Sequence, residues 1–101
     1  MLEALYDILV DRKLNPRENS YTCYLLNHKK GINKILEKLA EETAEVILAA
    51  KDKNREETIK ETADLLYHLL VLLVKLDIKL EDVWNELERR RKSKNMRDMD
   101  S

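Results

Sequence analysis

Four carboxylates occur as two pairs in the middle of this 101-residue chain. Glu42 and Glu45 are three residues apart, and Glu61 and Asp64 have the same spacing. On a helix this spacing brings two side chains to neighbouring positions on one face. Both pairs fall in stretches predicted to form antiparallel helices joined by a short turn, so the four acids can converge at one level. Apolar surroundings make unpaired carboxylates costly, and a bound divalent cation relieves that cost.

The available ligand types favour a hard metal ion. The cluster offers only oxygen atoms, and the whole chain contains one cysteine, Cys23, and two histidines, His28 and His68. We therefore expect Mg2+, with Mn2+ as its alternative, rather than zinc. Di-iron bundles place Glu-x-x-His on two helices, whereas here the second position is Glu45 or Asp64. Mg2+ held by carboxylates usually keeps positions for substrate phosphates, so the pattern indicates phosphate chemistry.

Helical periodicity extends over nearly the whole chain, which has one glycine, one proline and no phenylalanine. The predicted helices cover about 2–13, 32–51 and 55–76, and another starts near Asp77. A short helical piece lies between them, which Ser20 or Thr22 could cap and Gly31 could end. The predicted fold class is all-α, with four to five helices. We expect one domain over 1–92 and a mobile tail over 93–101.

The apolar faces of the two long helices are too wide for one short chain to cover. The helix over 32–51 has a broad apolar side, formed by Ile32, Ile35, Leu36, Leu39, Val46, Ile47 and Ala50. The next helix is apolar around nearly its whole circumference. Its polar exceptions fall in one narrow strip, made of Glu61, Asp64, His68 and Lys75. We therefore predict an intertwined homodimer with a helical-bundle core.

Charge and segment composition exclude several classes of function. The chain has 19 Lys and Arg against 20 Asp and Glu, a formal net charge of -1, so no bulk attraction to nucleic acid is expected. We see neither a membrane span nor the pattern of a secretory signal at the N-terminus. Cys23 has no internal disulfide partner. These features predict no nucleic-acid or membrane partner and a cytoplasmic location.

The polar strip also has a purely structural interpretation. It could be a solvated stripe in which Asp64 and His68 form a surface pair worth only about 0.3 kcal/mol. Against this, both helices carry the acid pairs. In addition, Glu37, Glu41 and Glu45 form an i, i+4 series of like charges that stability alone would avoid.

At this point the motifs resemble a known family, the phosphoribosyl-ATP pyrophosphohydrolases of the all-α nucleoside triphosphate pyrophosphohydrolase superfamily. The superfamily pattern EExxE followed by ExxD is present as "EETAE" at 41–45 and "ETAD" at 61–64. The narrower signature is carried by "SYT" at 20–22, "GINKIL" at 31–36 and "DVWNELERR" at 82–90. The resemblance covers about residues 2–90. One departure is Ala40, where the family commonly has glycine.

The resemblance implies Mg2+-dependent hydrolysis of 1-(5-phosphoribosyl)-ATP to 1-(5-phosphoribosyl)-AMP and pyrophosphate, the second step of histidine biosynthesis. By motif position, the implied metal ligands are Glu42, Glu45, Glu61 and Asp64. Glu41 would orient a ligand or a water, and it stays open whether Glu41 or a metal-bound carboxylate takes the proton of the attacking water.

Other residues are implied to hold the nucleotide. Lys38, Lys51 and Arg90 occupy family-like positions and are predicted to bind phosphates. The resemblance also implies that the pocket for the nucleotide substrate, which contains ATP, is shaped by Ser20, Tyr21 and Thr22. The pattern of these three residues alone shows only a loop able to cap a helix. His68 is expected to hold Asp64 in place without binding the metal itself.

Two alternatives remain. A general all-α nucleoside triphosphate pyrophosphohydrolase, of the housecleaning or dUTPase-like kind, would keep the metal site and change the base; the "SYT" and "YHLL" segments argue against it. A helical dimerisation or regulatory module would leave the acids facing solvent, and it predicts no effect of Mg2+ on stability.

Overall fold

The computed structural model describes residues 1–93, and within them every regular element is a helix. Five helices follow one another: α1 (Leu2–Leu14), α2 (Tyr21–Leu26), α3 (Ile32–Lys51), α4 (Arg55–Lys75) and α5 (Leu80–Arg91). The all-α prediction is confirmed, and the predicted helix limits are correct to within one or two residues for α1, α3 and α4. Apart from Ser93, the predicted mobile tail lies outside the described residues.

Local capping explains where the shorter helices begin and end. Ser20 caps α2, because its hydroxyl accepts a hydrogen bond from the Cys23 amide at 3.2 Å. Gly31 does not end α2, as the sequence had suggested; it precedes α3 as its N-cap, with φ +59°, a conformation that favours glycine. Asn54 caps α4 in the same way as Ser20 caps α2, by accepting from the Glu57 amide at 3.1 Å.

The antiparallel pair of α3 and α4 forms the centre of the fold, and a three-residue turn after Lys51 connects the two helices. Both α1 and α2 pack against this pair. The buried core joins all four helices through Leu9, Leu25, Leu26, Ile35, Leu70, Val71 and Val74. This packing fixes the relative height of α3 and α4, and therefore the positions of the acids they carry.

Two lysines hold helix ends together across the core. The Lys75 ammonium donates to the Leu26 carbonyl oxygen at 2.8 Å, so this member of the predicted polar strip attaches α2 to α4. Lys13 donates to the Val74 carbonyl oxygen at 3.0 Å and to the Asp77 carboxylate at 2.6 Å. Asp77 lies in the turn after α4, with φ +57°. The last helix, predicted to start near Asp77, has Lys79 as its N-cap.

Large apolar side chains remain exposed on the faces that the sequence predicts to be buried. On α3, Leu36 and Ile47 are 44% and 59% exposed, and on α4 both Leu66 and Leu69 are 41% exposed. Trp84 of α5 is also exposed and lines an apolar groove of about 510 Å³ beside α4. Among the described helices, none is both long enough and apolar enough to cross a membrane.

Candidate active site

Three of the four predicted acids meet between α3 and α4. Glu42 and Glu45 of α3 and Glu61 of α4 each offer a carboxylate oxygen, and the three oxygens lie within 4.8 Å of one another. We call these residues the acid cluster. The helix pairing brings them together, because residues three apart on α3 share a face and α4 runs antiparallel beside it.

Burial makes this arrangement costly for the protein alone. Glu42 is 7% exposed and Glu61 is 8% exposed, whereas Glu45 opens to solvent. The Oε2 atoms of both Glu42 and Glu61 are buried and accept no hydrogen bond from residues 1–93. A buried carboxylate oxygen without a partner carries a desolvation cost, which a cation bound between these oxygens would reduce.

The mutual proximity of the acids changes their protonation. The pKa of Glu61 is raised to about 7, because its proton can be shared with the Glu45 carboxylate and because burial and Glu42 disfavour its charge. The pKa of Glu45 is lowered, mainly by the same hydrogen bond with Glu61. A nearby divalent cation would favour the ionised form of both groups.

Asp64 and His68 do not form the contact that the sequence predicts. Asp64 is half-buried and lies outside the acid cluster, so its role as a metal ligand stays a prediction. His68 is buried, and its Nδ1 lies 2.7 Å from the Asp64 backbone carbonyl oxygen rather than from the carboxylate. A carbonyl oxygen only accepts, so Nδ1 carries the hydrogen and Nε2 accepts from the Tyr21 hydroxyl at 3.1 Å. His68 therefore positions Tyr21.

The like-charge series on α3 is largely neutralised by lysines. Glu37 pairs with Lys30 at 3.1 Å, and Glu41 pairs with Lys38 at 3.1 Å. Only Glu45 in this series faces another acid. Lys38 also acts electrostatically on Glu42 and on Glu45, so its ammonium is a cation beside the acid cluster. Because two of its three acids are paired with lysines, the like-charge series indicates a functional site less strongly than the acid cluster does.

The "SYT" segment has mainly structural contacts. Ser20 caps α2, and the Thr22 hydroxyl forms a hydrogen bond with the Tyr67 hydroxyl. The Tyr21 hydroxyl lies 3.1 Å from His68 Nε2, and Lys38 and Glu42 act electrostatically on its phenol. Burial is the largest cause that raises the pKa of Tyr21, and Lys38 opposes it. The predicted nucleotide contacts of Ser20 and Thr22 stay predictions.

The two remaining predicted phosphate ligands lie at helix ends. Lys51 is exposed on the last residue of α3. Arg90 lies in the last turn of α5, where its Nε donates to Glu86 at 3.0 Å. The Glu86 contact of Arg90 lies within α5, and Lys51 has no described contact with the acid cluster. The phosphate-binding roles of both residues therefore stay predictions.

Sequence reasoning did not single out Lys60 or Tyr24. Lys60 acts electrostatically on Glu45, and Tyr24 stacks beside Tyr21. The signal for Tyr24 was available, because a residue three positions after Tyr21 shares its face on a helix.

Cavity size does not identify the site. The larger cavity, about 690 Å³, lies between α1 and α2 and is lined by Arg12, Arg17 and Tyr67 among others. Glu45 and Glu61 line a smaller one of about 220 Å³ at the α3–α4 turn. We place the site at the acid cluster because, within residues 1–93, only there do several carboxylate oxygens converge and include buried oxygens without a hydrogen-bond partner.

Comparison with known proteins agrees with this chemistry. Residues 2–91 match the family "Phosphoribosyl-ATP pyrophosphohydrolase". A "Phosphoribosyl-ATP pyrophosphatase" of Methanococcoides burtonii is 58% identical over 91 residues, which are 90% of this chain and 92% of the relative. A protein of the same name from Clostridium novyi is 53% identical over 92 residues, 91% of this chain and 82% of the relative.

A third relative combines two activities in one chain. The "Histidine biosynthesis bifunctional protein HisIE" of Thermoanaerobacter pseudethanolicus is 51% identical over 86 residues, which are 85% of this chain and 39% of that protein. The match over residues 2–91, together with these identities, establishes that the chain belongs to the phosphoribosyl-ATP pyrophosphohydrolase family.

Proposed function

We propose that this protein hydrolyses 1-(5-phosphoribosyl)-ATP to 1-(5-phosphoribosyl)-AMP and pyrophosphate, the second step of histidine biosynthesis, with Mg2+ at the acid cluster. The observation that carries the proposal is the meeting of three carboxylates, two of them with buried unpaired oxygens, in a chain of this family. A purely structural module would have no use for these two unpaired oxygens.

The acid cluster suits Mg2+ in its donor atoms. All its ligands are carboxylate oxygens, and the unpaired Oε2 atoms of Glu42 and Glu61 are acceptors that a hard cation satisfies. Glu45 and, from the next turn of α4, Asp64 would add to the ligand set. Bound there, Mg2+ would offset negative charge on the phosphate oxygens and position a water.

Lys38 and Glu41 would act together on the substrate. The Lys38 ammonium is held by Glu41 at 3.1 Å beside the acid cluster. An incoming phosphate would compete for this ammonium and leave the Glu41 carboxylate available to accept a proton from the attacking water. The water oxygen then bonds to the α-phosphorus. The bond from this phosphorus to the oxygen that bridges to the β-phosphorus breaks, and pyrophosphate leaves. On this proposal Glu41→Gln lowers kcat while Mg2+ affinity, measured by titration calorimetry, stays as in the wild type.

We also propose that the chain works as an intertwined homodimer. The exposed apolar side chains of α3 and α4 lie on the central helix pair, and a second copy of the same pair would cover them in a four-helix bundle. Leu66→Asp should convert the dimer to a monomer in light scattering. Leu14→Asp is the control, because Leu14 is 71% exposed at the end of α1, away from this face. A monomeric wild type would contradict the proposal.

The activity is tested by measuring pyrophosphate release from 1-(5-phosphoribosyl)-ATP, with ATP and dUTP as comparison substrates. The assay is run with Mg2+ and with chelator, on the wild type and on Glu45→Gln. We expect release from 1-(5-phosphoribosyl)-ATP alone, abolished by the chelator and by the substitution. Turnover of dUTP instead would keep the metal site and assign the protein a different substrate. No turnover of any substrate would favour the helical module.

A further inference from the structure

Three tyrosine rings form a stack that runs from the core to the surface. The Tyr21 and Tyr67 ring centroids are 6.1 Å apart with an interplanar angle of 23°, and those of Tyr21 and Tyr24 are 6.1 Å apart at 20°. Tyr21 is 47% exposed and Tyr24 is 50% exposed. We call Tyr21 and Tyr24 the tyrosine platform, because together they present nearly parallel aromatic surface to solvent.

Two histidines hold the rings of the tyrosine platform in place. The Tyr21 hydroxyl donates to His68, which is itself fixed by the Asp64 carbonyl oxygen. The His28 and Tyr24 rings are nearly perpendicular, with centroids 5.1 Å apart and an interplanar angle of 85°. Rings that are already ordered lose little conformational entropy when a ligand binds, so these contacts prepare the surface for an aromatic partner.

The tyrosine platform is connected to the acid cluster through α4, because Tyr21 contacts His68 and His68 lies on the same helix as Glu61. Tyr21 lies within electrostatic range of Lys38 and of Glu42, which belongs to the acid cluster. Along α4, His68 is seven residues after Glu61, an axial separation of about 10 Å. A nucleotide has the same order of features, with its base separated from the reacting phosphates by a ribose.

The chemistry of the substrate suits recognition by ring stacking. In 1-(5-phosphoribosyl)-ATP, adenine N1 carries a second ribose, so this edge of the base cannot accept the hydrogen bond that adenine sites commonly use. The two ring faces remain available, and the substituted ring readily carries positive charge, which aromatic faces attract. We infer that the tyrosine platform binds the N1-substituted adenine ring of the substrate, with Tyr24 as its outer, solvent-exposed surface. This inference rests on the proposed function.

The first test separates ring stacking from general apolar contact. Tyr24→Leu keeps an apolar side chain and removes the ring, and Tyr24→Phe keeps the ring and removes the hydroxyl. We expect Tyr24→Leu to raise KM for 1-(5-phosphoribosyl)-ATP about tenfold, with the effect on KM rather than on kcat. Tyr24→Phe should restore most of the affinity. If KM is the same in wild type and Tyr24→Leu, the tyrosine platform does not bind the base, although the proposed activity stands.

The second test does not depend on turnover. Titration calorimetry with 1-methyladenosine 5′-monophosphate and with AMP, in chelator, measures base binding without metal. We expect tighter binding of the methylated nucleotide, weakened about tenfold by Tyr24→Leu and retained by Tyr24→Phe. If the wild type fails to hydrolyse 1-(5-phosphoribosyl)-ATP but this pattern appears, the base site stands and the proposed activity falls. Equal binding by all three proteins overturns the inference.

Tyr24 is suited to these substitutions because its side chain is half exposed and forms no hydrogen bond with residues 1–93 through its hydroxyl. Circular dichroism and the melting temperature check that both variants fold. Should Tyr24→Leu fail to fold, Tyr24→Phe and Tyr24→His compare rings of different electron density on the same scaffold. The inference then predicts weaker binding of the methylated nucleotide by Tyr24→His, and equal binding overturns it.

Discussion

Glu61 of the acid cluster and Glu86 of α5 occupy opposite electrostatic environments. Glu61 lies beside the acids Glu45 and Glu42, and its pKa is raised to about 7, with the Glu45 hydrogen bond as the largest cause. Glu86 accepts from Arg89 at 2.6 Å and from Arg90 at 3.0 Å, and its pKa is lowered to about 2, with the Arg89 hydrogen bond as the largest cause. The same side chain is thus destabilised as an anion in one place and stabilised in the other.

This difference separates acids that the chain satisfies from acids that it leaves for a ligand. On α5, each acid near the C-terminus has an arginine one turn away, as Glu88 has Arg91 at 3.0 Å. Such exposed pairs form from local sequence alone and contribute little to stability. Among residues 1–93, no arginine pairs with the acid cluster and Lys38 pairs with Glu41 instead, so a bound cation would supply the missing positive charge. The arrangement of cations around an acid is therefore more informative than the acid itself.

The largest difference is expected when one acid is neutralised in the acid cluster and one on α5. Glu61→Gln keeps the size of the side chain and removes its charge, so we expect pyrophosphate release from 1-(5-phosphoribosyl)-ATP to fall about 100-fold or more. Glu88→Gln is the matched control on α5, and its rate should stay close to that of the wild type. Steady-state assays with saturating Mg2+ compare the three proteins. An equal loss in both variants would contradict the distinction.

Metal binding provides the second contrast. Mg2+ at 100 times its Kd should stabilise the wild type by about 2.7 kcal/mol, because only the folded chain assembles the acid cluster. For a domain of this size the melting temperature should rise by about 10 °C or more. Glu88→Gln should show the same increase and Glu45→Gln little or none. A melting temperature that does not respond to Mg2+ in the wild type would favour a structural role for the acids.

Metal-free stability should depend on pH in opposite ways through two members of the acid cluster, Glu61 and Glu45. The raised pKa of Glu61 means that its contribution is present below about pH 4.5 and is lost as the pH rises toward 7. The lowered pKa of Glu45 acts in the other direction, and its contribution is lost as the pH falls below about 4.5. In chelator, the urea midpoint of the wild type should fall between pH 5 and pH 8, and Glu61→Gln should reduce this decrease. A midpoint that is flat in the wild type would mean that Glu61 ionises normally.

The sequence predicted well whatever depends on local periodicity. The limits of α3 and α4 follow from apolar spacing and from caps such as Asn54, and the pairing of Glu42, Glu45 and Glu61 follows from helical geometry. Ser20 was correctly proposed as a cap of α2. The helix limits and the caps involve residues a few positions apart, for which a single helix determines the outcome. The meeting of Glu61 with Glu42 and Glu45 also requires α3 and α4 to pair in antiparallel fashion, which their short connecting turn predicts.

Contacts between distant residues were not predictable in this way. Lys75 looked like part of the polar strip, but its long side chain reaches the end of α2, 49 residues away in the sequence. His68 looked like a partner of the Asp64 carboxylate, but on one helix its ring lies closer to the backbone carbonyl four residues earlier and turns its other nitrogen to Tyr21. Such choices depend on which helix packs on which face, and periodicity alone leaves them undetermined.

The smallest expected effect comes from Glu86 itself. Its lowered pKa means that its contribution is present above about pH 4.5 and is lost as the pH falls toward 2. Because Glu86, Arg89 and Arg90 are exposed, solvent and salt screen their interactions. Glu86→Gln should therefore change the melting temperature at pH 7 by a few degrees at most, and 1 M NaCl should remove most of the difference. A large, salt-independent loss of stability would mean that α5 depends on this acid for a buried contact, for example in the homodimer, and that the two regions differ less than their exposed surfaces indicate.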